Sequence, residues 1–547
     1  MNSGAACAHS TGAAGPFDGE NSEKTSSPRP IVWSIAGSDS GAGAGLQADL
    51  KAFAAFGVHG CTAVAAITAQ NSVAVTRVEP VSPDLLDAQL AALAQDLPPQ
   101  AIKTGLLGSV DNLRVVCRWV DQVRAVARAK GLVVALVVDP VLGATTGAGF
   151  ADDALVQAYV TELLPRATLV TPNQAEAQRL LAAAQPALPP PATVQDMATA
   201  LAMLGGGDLA VAITGGDAPR SKGMAADWLH SPQACGWLSL PRVDTPHHHG
   251  TGCTFASTAA AALASGYCVA DAVVLAKMAT TQALRHAYAA GAGAGPVCAQ
   301  ADFAQHAINL PVLSLPVLSA SPDAAPFPAL RATDLGVYAV VDSAAWVRSV
   351  LAAGIRTVQL RIKDAQDPTL ESQTREAIAV AGQTPGAQLF INDHWQLALR
   401  LGAYGVHVGQ EDLDQVDLDA LRQAGVRLGI STHSYWEVAR AWALRPSYIA
   451  CGPIFATQSK DMPWIPQGLD NLRYWAGMLP VPVVGIAGID PRNMADVAAQ
   501  GVSGAAVITA ITRAADPEGA CRQLMLEFAR GAALPRHALP VRVRPTL

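Results

Sequence analysis

From residue 337 onward the chain repeats one pattern eight times: a short apolar run of strand length, then a helical stretch. The runs are 337–341, 357–362, 388–392, 405–408, 427–431, 448–454, 481–486 and 504–509. Eight βα units in roughly 200 residues are the requirement for a (β/α)8 TIM barrel, whose functional residues gather at the C-terminal ends of its strands. Polar residues collect at those ends: Gln359, Arg361 and Lys363; Asn392 and Asp393; Gln410 and Asp412; Ser431; Thr457, Ser459 and Lys460. Incidental polar residues would be scattered.

Strand runs also alternate with helical stretches in the first half, as expected of an α/β domain with a parallel sheet. At 547 residues the chain is too long for one core, since single cores rarely exceed about 250–300 residues. A Pro-, Ser- and Ala-rich stretch, 311–332, marks the expected break. The expected organisation is a disordered extension over 1–29, a first domain over 30–310, a linker over 311–332 and a barrel over 333–547. Each half is expected to fold and work alone if the chain is cut in the linker. The run 131–138 reads as one buried strand.

Composition narrows the function. Half of the residues are hydrophobic, 15% are charged, and the formal net charge is −7. That balance lacks the basic footprint of a nucleic-acid or anionic-membrane binder. No uninterrupted apolar run reaches the ~20 residues of a membrane span. The nine cysteines are dispersed without a Cys-x-x-Cys pair, which argues against a zinc site or disulfide framework and fits a reducing cytoplasm. The partners expected are small molecules, not nucleic acid or membrane, with a homo-oligomer as the assembly.

The densest signal in the first half is Gly250-Thr251-Gly252-Cys253, ahead of an Ala-rich helical run. A Gly-Thr-Gly turn at a helix start aims free backbone N–H groups at one point, and the helix dipole adds positive potential. Such an anion hole suits the charge that develops on a phosphoryl group in transfer. Cys253 sits there, where a thiol pKa is expected to fall and the thiolate can accept a proton from an alcohol. Upstream, strand 31–35 runs into a Gly-rich turn, Ala36 to Gly45, and a helix through Phe56. It is not a Walker A loop, because no Gly-Lys-Ser/Thr follows. Next come Thr68-Ala69-Gln70-Asn71, Lys103-Thr104-Gly105, Val138-Asp139-Pro140, Asn173-Gln174-Ala175-Glu176 and Thr214-Gly215-Gly216-Asp217. His247, His248 and His249 are consecutive, point different ways and have no further ligands at metal spacing.

This order of motifs, over about residues 30–305, resembles the ribokinase-like superfamily. Within it the resemblance is to the hydroxymethylpyrimidine/phosphomethylpyrimidine kinases of thiamine biosynthesis. It implies a ribokinase-like α/β sandwich ahead of the barrel, with ATP as co-substrate. By it, Gln70 bonds the aminopyrimidine, with Asp49 near the same pocket. Asp139 and Glu176 organise Mg²⁺, a cation that prefers hard oxygens. Thr214, Gly216, Gly250, Thr251 and Gly252 face ATP or its phosphates, and Cys253 is the catalytic base. Thr104 stands where Ile is usual and Thr214 where Lys is common. His249 matches the His that often precedes Gly-Thr-Gly.

In the second half, Arg361, Lys363 and Lys460 form a cationic set, and Asp393 and Asp412 offer hard oxygens for Mg²⁺. Turns at Gly488 and at Ile508-Thr509 follow the last two strands, where barrels commonly hold a phosphate. The motifs Gln359-Leu360-Arg361-Ile362-Lys363, Ile391-Asn392-Asp393, Val406 to Asp412, Gly429 to Ser434 and Gly452 to Lys460 closely resemble thiamine-phosphate synthase over about 334–530. The resemblance implies that Gln359, Arg361, Lys363, Asn392, Ser431 and Lys460 hold a pyrimidine diphosphate. It places Mg²⁺ on Asp393 and Asp412, and a thiazole phosphate on Thr457, Gln458, Ser459, Gly488, Ile508 and Thr509. Ser459 and Thr509 exchange Thr and Ser relative to the usual pattern and keep the hydroxyl.

The two halves thus point to consecutive steps of one pathway. Three rivals remain to be weighed: a pyridoxal-type salvage kinase, a thiazole tautomerase barrel, and a half reduced to a binding module. Gln70 in its Ala-Gln-Asn setting favours a pyrimidine, and the intact aspartates with Lys363 and Lys460 favour coupling over isomerisation.

Overall fold

Short runs of Val, Ile, Leu and Ala bounded by Gly, Pro and Asp build eighteen strands among the described residues in a computed structural model of the protein. The structure describes residues 28–143, 150–186, 191–215, 223–314, 325–456 and 464–547. Most of the 1–29 extension, part of the Pro-rich stretch, and Gly216, Thr457, Gln458, Ser459 and Lys460 lie outside the described residues.

The first ten strands are β1 (Ile31–Ser38), β2 (His59–Gln70), β3 (Val75–Pro80), β4 (Ala101–Thr104) and β5 (Ala135–Val138), then β6 (Leu169–Val170), β7 (Ala210–Ile213), β8 (Met224–His230), β9 (Cys235–Pro241) and β10 (Val312–Ser314). They form one sheet ordered β10-β9-β8-β7-β6-β5-β4-β1-β2-β3. Its centre is parallel; β3 and β8 to β10 are antiparallel additions at the two edges. Alternation along β1 sends Trp33 and Ile35 into one core and Val32 into another on the opposite face. The sheet is therefore covered on both sides, as a parallel sheet requires. The Ala-rich helix Thr251–Ala264 is buried from Thr254 to Ala262 in one of these layers, and small side chains let it approach the sheet.

The expected strand over 131–138 forms only in its second half. Val133 is 86% exposed, and pairing begins at Ala135. Apolar character alone does not separate such a lead-in from the strand. Val312–Ser314, which the sequence places in a linker, pairs antiparallel with β9 and buries Leu313.

The remaining strands are β11 (Gly336–Val341), β12 (Thr357–Leu360), β13 (Gln388–Asn392), β14 (Gly405–Val408), β15 (Arg427–Thr432), β16 (Tyr448–Cys451), β17 (Val483–Ile486) and β18 (Gly504–Val507). They close into a parallel barrel, β18 pairing with β11. Strand β16 stops at Cys451, short of the expected 454, where Gly452-Pro453 removes a donor. The lumen is packed with Tyr338, Val340, Phe390, Tyr448, Val484 and Ala506. Residues on the outer faces join a core that continues across the junction into the first domain, through Phe56, Tyr267, Phe303, Tyr435, Tyr474 and Trp475. Among the described residues no helix is long and apolar enough to cross a membrane.

Candidate active sites in the two domains

The Gly-rich turn after β1 and the Gly-Thr-Gly-Cys turn are remote in sequence and touch in space. Gly250 has φ of 87°, and a Cβ there would lie 1.9 Å from Gly43 O, so no other residue fits. Asp39 holds the first turn in shape. Its Oδ1 accepts from Gly41 N at 2.7 Å, and its Oδ2 from Gly43 N at 2.9 Å and Ala44 N at 2.8 Å. His249 Nε2 lies 3.1 Å from the same oxygen, so the last residue of the His run braces one turn against the other. Burial alone would raise the Asp39 pKa. Bonds from His249, Gln70, Ala44 and Gly41 outweigh it and hold the carboxyl well below the usual range. Gln70, at the end of β2, is thus beside Asp39 and the Gly-rich turn.

Beneath the turns lies a buried charge cluster. Lys103 of β4 and Asp49 of the helix Gly45–Phe56 are both 0% exposed, with Lys103 Nζ 2.9 Å from Asp49 Oδ1. Asp139, at the end of β5, is 3.5 Å from Lys103 Nζ. Asp49 also accepts from Ser34 Oγ at 2.5 Å and Ser257 Oγ at 2.7 Å. Its carboxylate is committed to these internal partners, so its place is under the pocket rather than at its surface. Burial works against the Lys103 charge, but Asp49, Cys253 and Asp139 together keep it protonated. Desolvation raises the Asp139 pKa, with Lys103 opposing. The sequence motifs contain Lys103 but carry no role for it. The available signal was a Lys inside a four-residue strand with no exposed position, which demands a buried counter-charge.

The expected fall in the Cys253 pKa is not what this environment produces. Burial pushes the thiol up to about 12; Lys103 opposes, while Asp49 and Asp139 add to the rise. The helix start is present, with Gly250 as its left-handed N-cap, but two carboxylates beside one lysine leave the cluster net negative.

Glu176 forms a capping box with Asn173. Glu176 Oε2 accepts from Asn173 N at 2.9 Å, and Asn173 Oδ1 accepts from Glu176 N at 2.9 Å. Asp139 and Glu176 both act electrostatically on Tyr159, so they share one neighbourhood. Thr214 bridges to Asn173 beside them. The next residue, Gly215, donates to Asp227 Oδ1 at 2.9 Å, and Lys277 Nζ holds Asp227 Oδ2 at 2.7 Å.

At the C-terminal mouth of the barrel lies a cavity of about 590 Å³. Gln359, Arg361, Asn392, Asp393, Asp412 and Ser431 line one part of it, and Gly488, Ile508 and Thr509 another. Lys363 is exposed and does not line it. Asp393 has φ of 60°, a conformation rare for a side-chain-bearing residue, and accepts a close bond from Asn392 Nδ2. Desolvation and the nearby Asp412 raise its pKa, partly offset by Arg361. Two carboxylates that repel each other beside an arginine fit a divalent cation. No group of three or more candidate metal ligands occurs among the described residues. Two protein oxygens still suit Mg²⁺, which usually keeps waters and takes further oxygens from a substrate phosphate.

A polar chain runs inward from this surface through His407, which lies within a motif but has no assigned role there. His407 Nε2 is 2.9 Å from Ser431 Oγ, and His407 Nδ1 is 2.7 Å from Tyr448 OH. Tyr448 OH is 2.8 Å from Tyr338 OH, to which Gln359 Nε2 donates at 3.3 Å. Burial, with Arg361 adding to it, lowers the His407 pKa to about 4, so the ring is neutral. The signal was the alternation in Val406-His407-Val408, whose two valines face outward and whose histidine therefore faces the lumen.

A ten-stranded sheet with two touching Gly-rich turns, followed by a closed eight-stranded barrel with paired carboxylates at its mouth, makes a two-domain α/β protein; its likeness to known proteins identifies it as a transferase. A family model described as phosphomethylpyrimidine kinase matches residues 39–298, and one described as thiamine monophosphate synthase matches 337–511. The chain is 35% identical over 505 residues to a probable thiamine biosynthetic bifunctional enzyme, chloroplastic, of Oryza sativa subsp. japonica, covering 88% of this chain and 86% of the relative. It is 53% identical over 201 residues to a thiamine-phosphate synthase of Serratia proteamaculans, covering 37% of this chain and 94% of the relative. Among solved structures, a Bacillus subtilis pyridoxal kinase–ADP complex has a TM-score of 0.43 at 32% identity, over 49% of this chain and 97% of that one. The chain belongs to the bifunctional thiamine biosynthetic enzymes. It unites a ribokinase-like phosphomethylpyrimidine kinase with a TIM-barrel thiamine-phosphate synthase.

Proposed function

We propose that the first domain uses ATP to phosphorylate 4-amino-5-hydroxymethyl-2-methylpyrimidine to its monophosphate and then its diphosphate. The barrel then joins the diphosphate to thiazole phosphate, releasing diphosphate and thiamine phosphate. The observation that carries this reading is the convergence of Asp393, Asp412, Arg361, Asn392 and Ser431 on one cavity. A tautomerase has no leaving group to require paired carboxylates and an arginine.

In the kinase, Gln70 reads the aminopyrimidine edge, because an amide donates and accepts at once. Gly250, Thr251 and Gly252 direct backbone donors at the transferring phosphoryl group. Thr214 and Gly216 face the nucleotide. Cys253 takes the hydroxyl proton. Asp139, whose buried Oδ2 has Lys103 Nζ at 3.5 Å as its ion partner, and Glu176 form the oxygen side that would hold Mg²⁺. Lys103 and Asp49 fix that side from below.

In the synthase, Gln359, Arg361, Lys363, Asn392, Ser431 and Lys460 hold the pyrimidine diphosphate. Asp393 and Asp412 are the residues that would hold Mg²⁺, which when bound supplies charge stabilisation for the departing diphosphate. Thr457, Gln458, Ser459, Gly488, Ile508 and Thr509 position the thiazole phosphate. The aminopyrimidine pushes electrons outward as diphosphate leaves, and the thiazole nitrogen attacks the resulting cation. The site needs no strong base; it orients and stabilises. The dispersed cysteines keep a cytoplasmic setting within this reading, with small molecules as substrates and a homo-oligomer as the assembly.

The experiment supplies hydroxymethylpyrimidine, ATP, Mg²⁺ and thiazole phosphate and detects thiamine phosphate. In Asp393→Ala and Asp412→Ala, coupling of supplied pyrimidine diphosphate is expected to fall at least about 100-fold, the scale of losing an electrostatic stabiliser. Both phosphorylations should stay within twofold of wild type. Normal coupling in the double variant at excess Mg²⁺ would remove the metal assignment, and absence of thiamine phosphate from wild type would remove the whole reading.

A further inference from the structure

The junction contains a buried carboxylate that neither chemistry uses. Asp271 lies in the first turn of the kinase helix Val269–Arg285 and is 3% exposed. Its Oδ1 accepts from Trp436 N of the barrel at 2.8 Å, and the Tyr435 N–H also bonds it. Tyr435 and Trp436 are the first two residues of the helix Tyr435–Ala443, whose N-cap Ser434 makes no side-chain cap bond of its own. These are the donors that a cap normally satisfies. The carboxylate that does so comes from the other domain, 165 residues away in sequence.

That helix begins directly behind the synthase cavity. Three residues before its N-cap is Ser431, at the end of β15; between them is His433, which also lines the cavity. Glu437, on the first turn, accepts from His433 N at 2.7 Å and lies 2.7 Å from His433 Nδ1. The His433 ring stacks on Trp464 at 3.8 Å, on the far side of the loop that carries Thr457 to Lys460 in sequence. The helix start thus sets the 431–433 turn and, through the ring, one end of the opposite loop. Among the described residues Asp271 has no cationic partner within ion-pair distance. Desolvation raises its pKa to about 7, with Glu437 adding to the rise, while the backbone donors of Trp436 and Tyr435 oppose it. A carboxylate buried at this cost is offset chiefly by the helix start it caps.

We propose that Asp271 is a positioning residue of the synthase: the kinase domain caps the helix behind the diphosphate subsite and so holds Ser431 and His433 in place. The proposal rests on the reading of Ser431 as a diphosphate ligand. Loss of a cap loosens a helix start by an amount equivalent to roughly a two- to thirty-fold change in an equilibrium.

The test uses the full-length chain with Asp271→Ala, Asp271→Asn, Tyr267→Phe and Ser431→Ala. In Asp271→Ala, KM for supplied pyrimidine diphosphate should rise roughly two- to thirty-fold, with both kinase rates within twofold of wild type. Amide exchange over 431–437 should accelerate. Asp271→Asn, which keeps one acceptor oxygen, should recover part of both effects. Tyr267→Phe removes a bond from the same junction to Val543 O without touching the cap, and should leave KM unchanged. Wild-type KM in a folded Asp271→Ala or Asp271→Asn protein overturns the proposal. So does an equal KM rise in Tyr267→Phe, which would assign the effect to the junction in general. An unchanged KM in Ser431→Ala overturns the subsite reading and the proposal with it. A raised KM there, with no effect at Asp271, overturns the proposal alone.

Discussion

At the scale of single residues, His407, which itself lines the cavity, shows how a barrel strand fixes its neighbours in a site. Its ring sits between Ser431 Oγ and Tyr448 OH and is kept neutral by burial and by Arg361. A neutral ring can accept at one nitrogen and donate at the other, which fixes both hydroxyls. The folded pKa of about 4 lies below the ordinary histidine value of 6.5. The stability tied to neutrality is therefore fully present above pH 6.5 and lost as pH falls through 4. Relative to His407→Gln, wild type should lose about 1.4 kcal/mol per pH unit across that window. Urea melts at pH 7, 5.5 and 4.5 check this; parallel pH dependence in the two proteins would mean that the ring is not held neutral. The same residue marks a limit of legibility. The lining residues Gln359, Arg361, Asn392, Asp393, Asp412 and Ser431 stand at strand ends and could be placed from the eightfold period. His407, Tyr338 and Tyr448 have a lumen-facing position in the sequence pattern, but their partners lie on other strands and only barrel closure brings them together.

At the scale of elements, the helix Thr251–Ala264 was legible as a buried helix following the Gly-Thr-Gly turn. The electrostatic consequence for Cys253 was not. A helix start favours a thiolate by up to about 2 kcal/mol. Burial beside Asp49 and Asp139 opposes that and wins, leaving a pKa near 12. Those carboxylates come from the helix Gly45–Phe56 and the end of β5, so their effect depends on packing rather than local sequence. The thiolate fraction then grows tenfold per pH unit throughout the neutral range. If Cys253 takes the hydroxyl proton, the phosphorylation rate should rise with pH from 6.5 to 9 without levelling, and Cys253→Ala should flatten that rise while lowering the rate about 10²–10⁴-fold. Initial rates of both phosphorylations over that range decide it. A plateau at pH 7 in wild type, or an unchanged slope in the variant, would take the proton to another acceptor. Coupling of supplied pyrimidine diphosphate should be unaffected.

At the scale of the whole molecule, the division into two α/β units was legible because each half carries its own strand period. The continuity between them was not, because it is made by residues that look like linker or tail. Leu313 pairs into the kinase sheet, and β10 packs against the barrel helix Tyr435–Ala443. Phe327 and Leu330 are buried in the barrel region. Near the C-terminus, Arg542 lies over the Phe56 ring at 4.1 Å, and Arg544 N donates to Asn471 Oδ1 at 2.9 Å. Tyr474 OH donates to Ala304 O at 2.5 Å. A cut that separates 1–310 from 333–547 discards β10, Phe327 and Leu330, and exposes Tyr267, Tyr435 and Trp475 on the two broken faces. Independent, fully active halves are therefore not expected from that cut. Fragments 1–314 and 325–547 keep all of these residues and should associate when mixed, eluting together on size exclusion and recovering at least half of the coupling rate. The shorter pair should elute separately or precipitate, with coupling reduced at least about tenfold, because a lost Phe or Leu anchor typically costs 2–5 kcal/mol. If 333–547 alone couples at the full-length rate and ignores added 1–310, the shared core contributes nothing to the synthase, and the domains are tethered rather than joined.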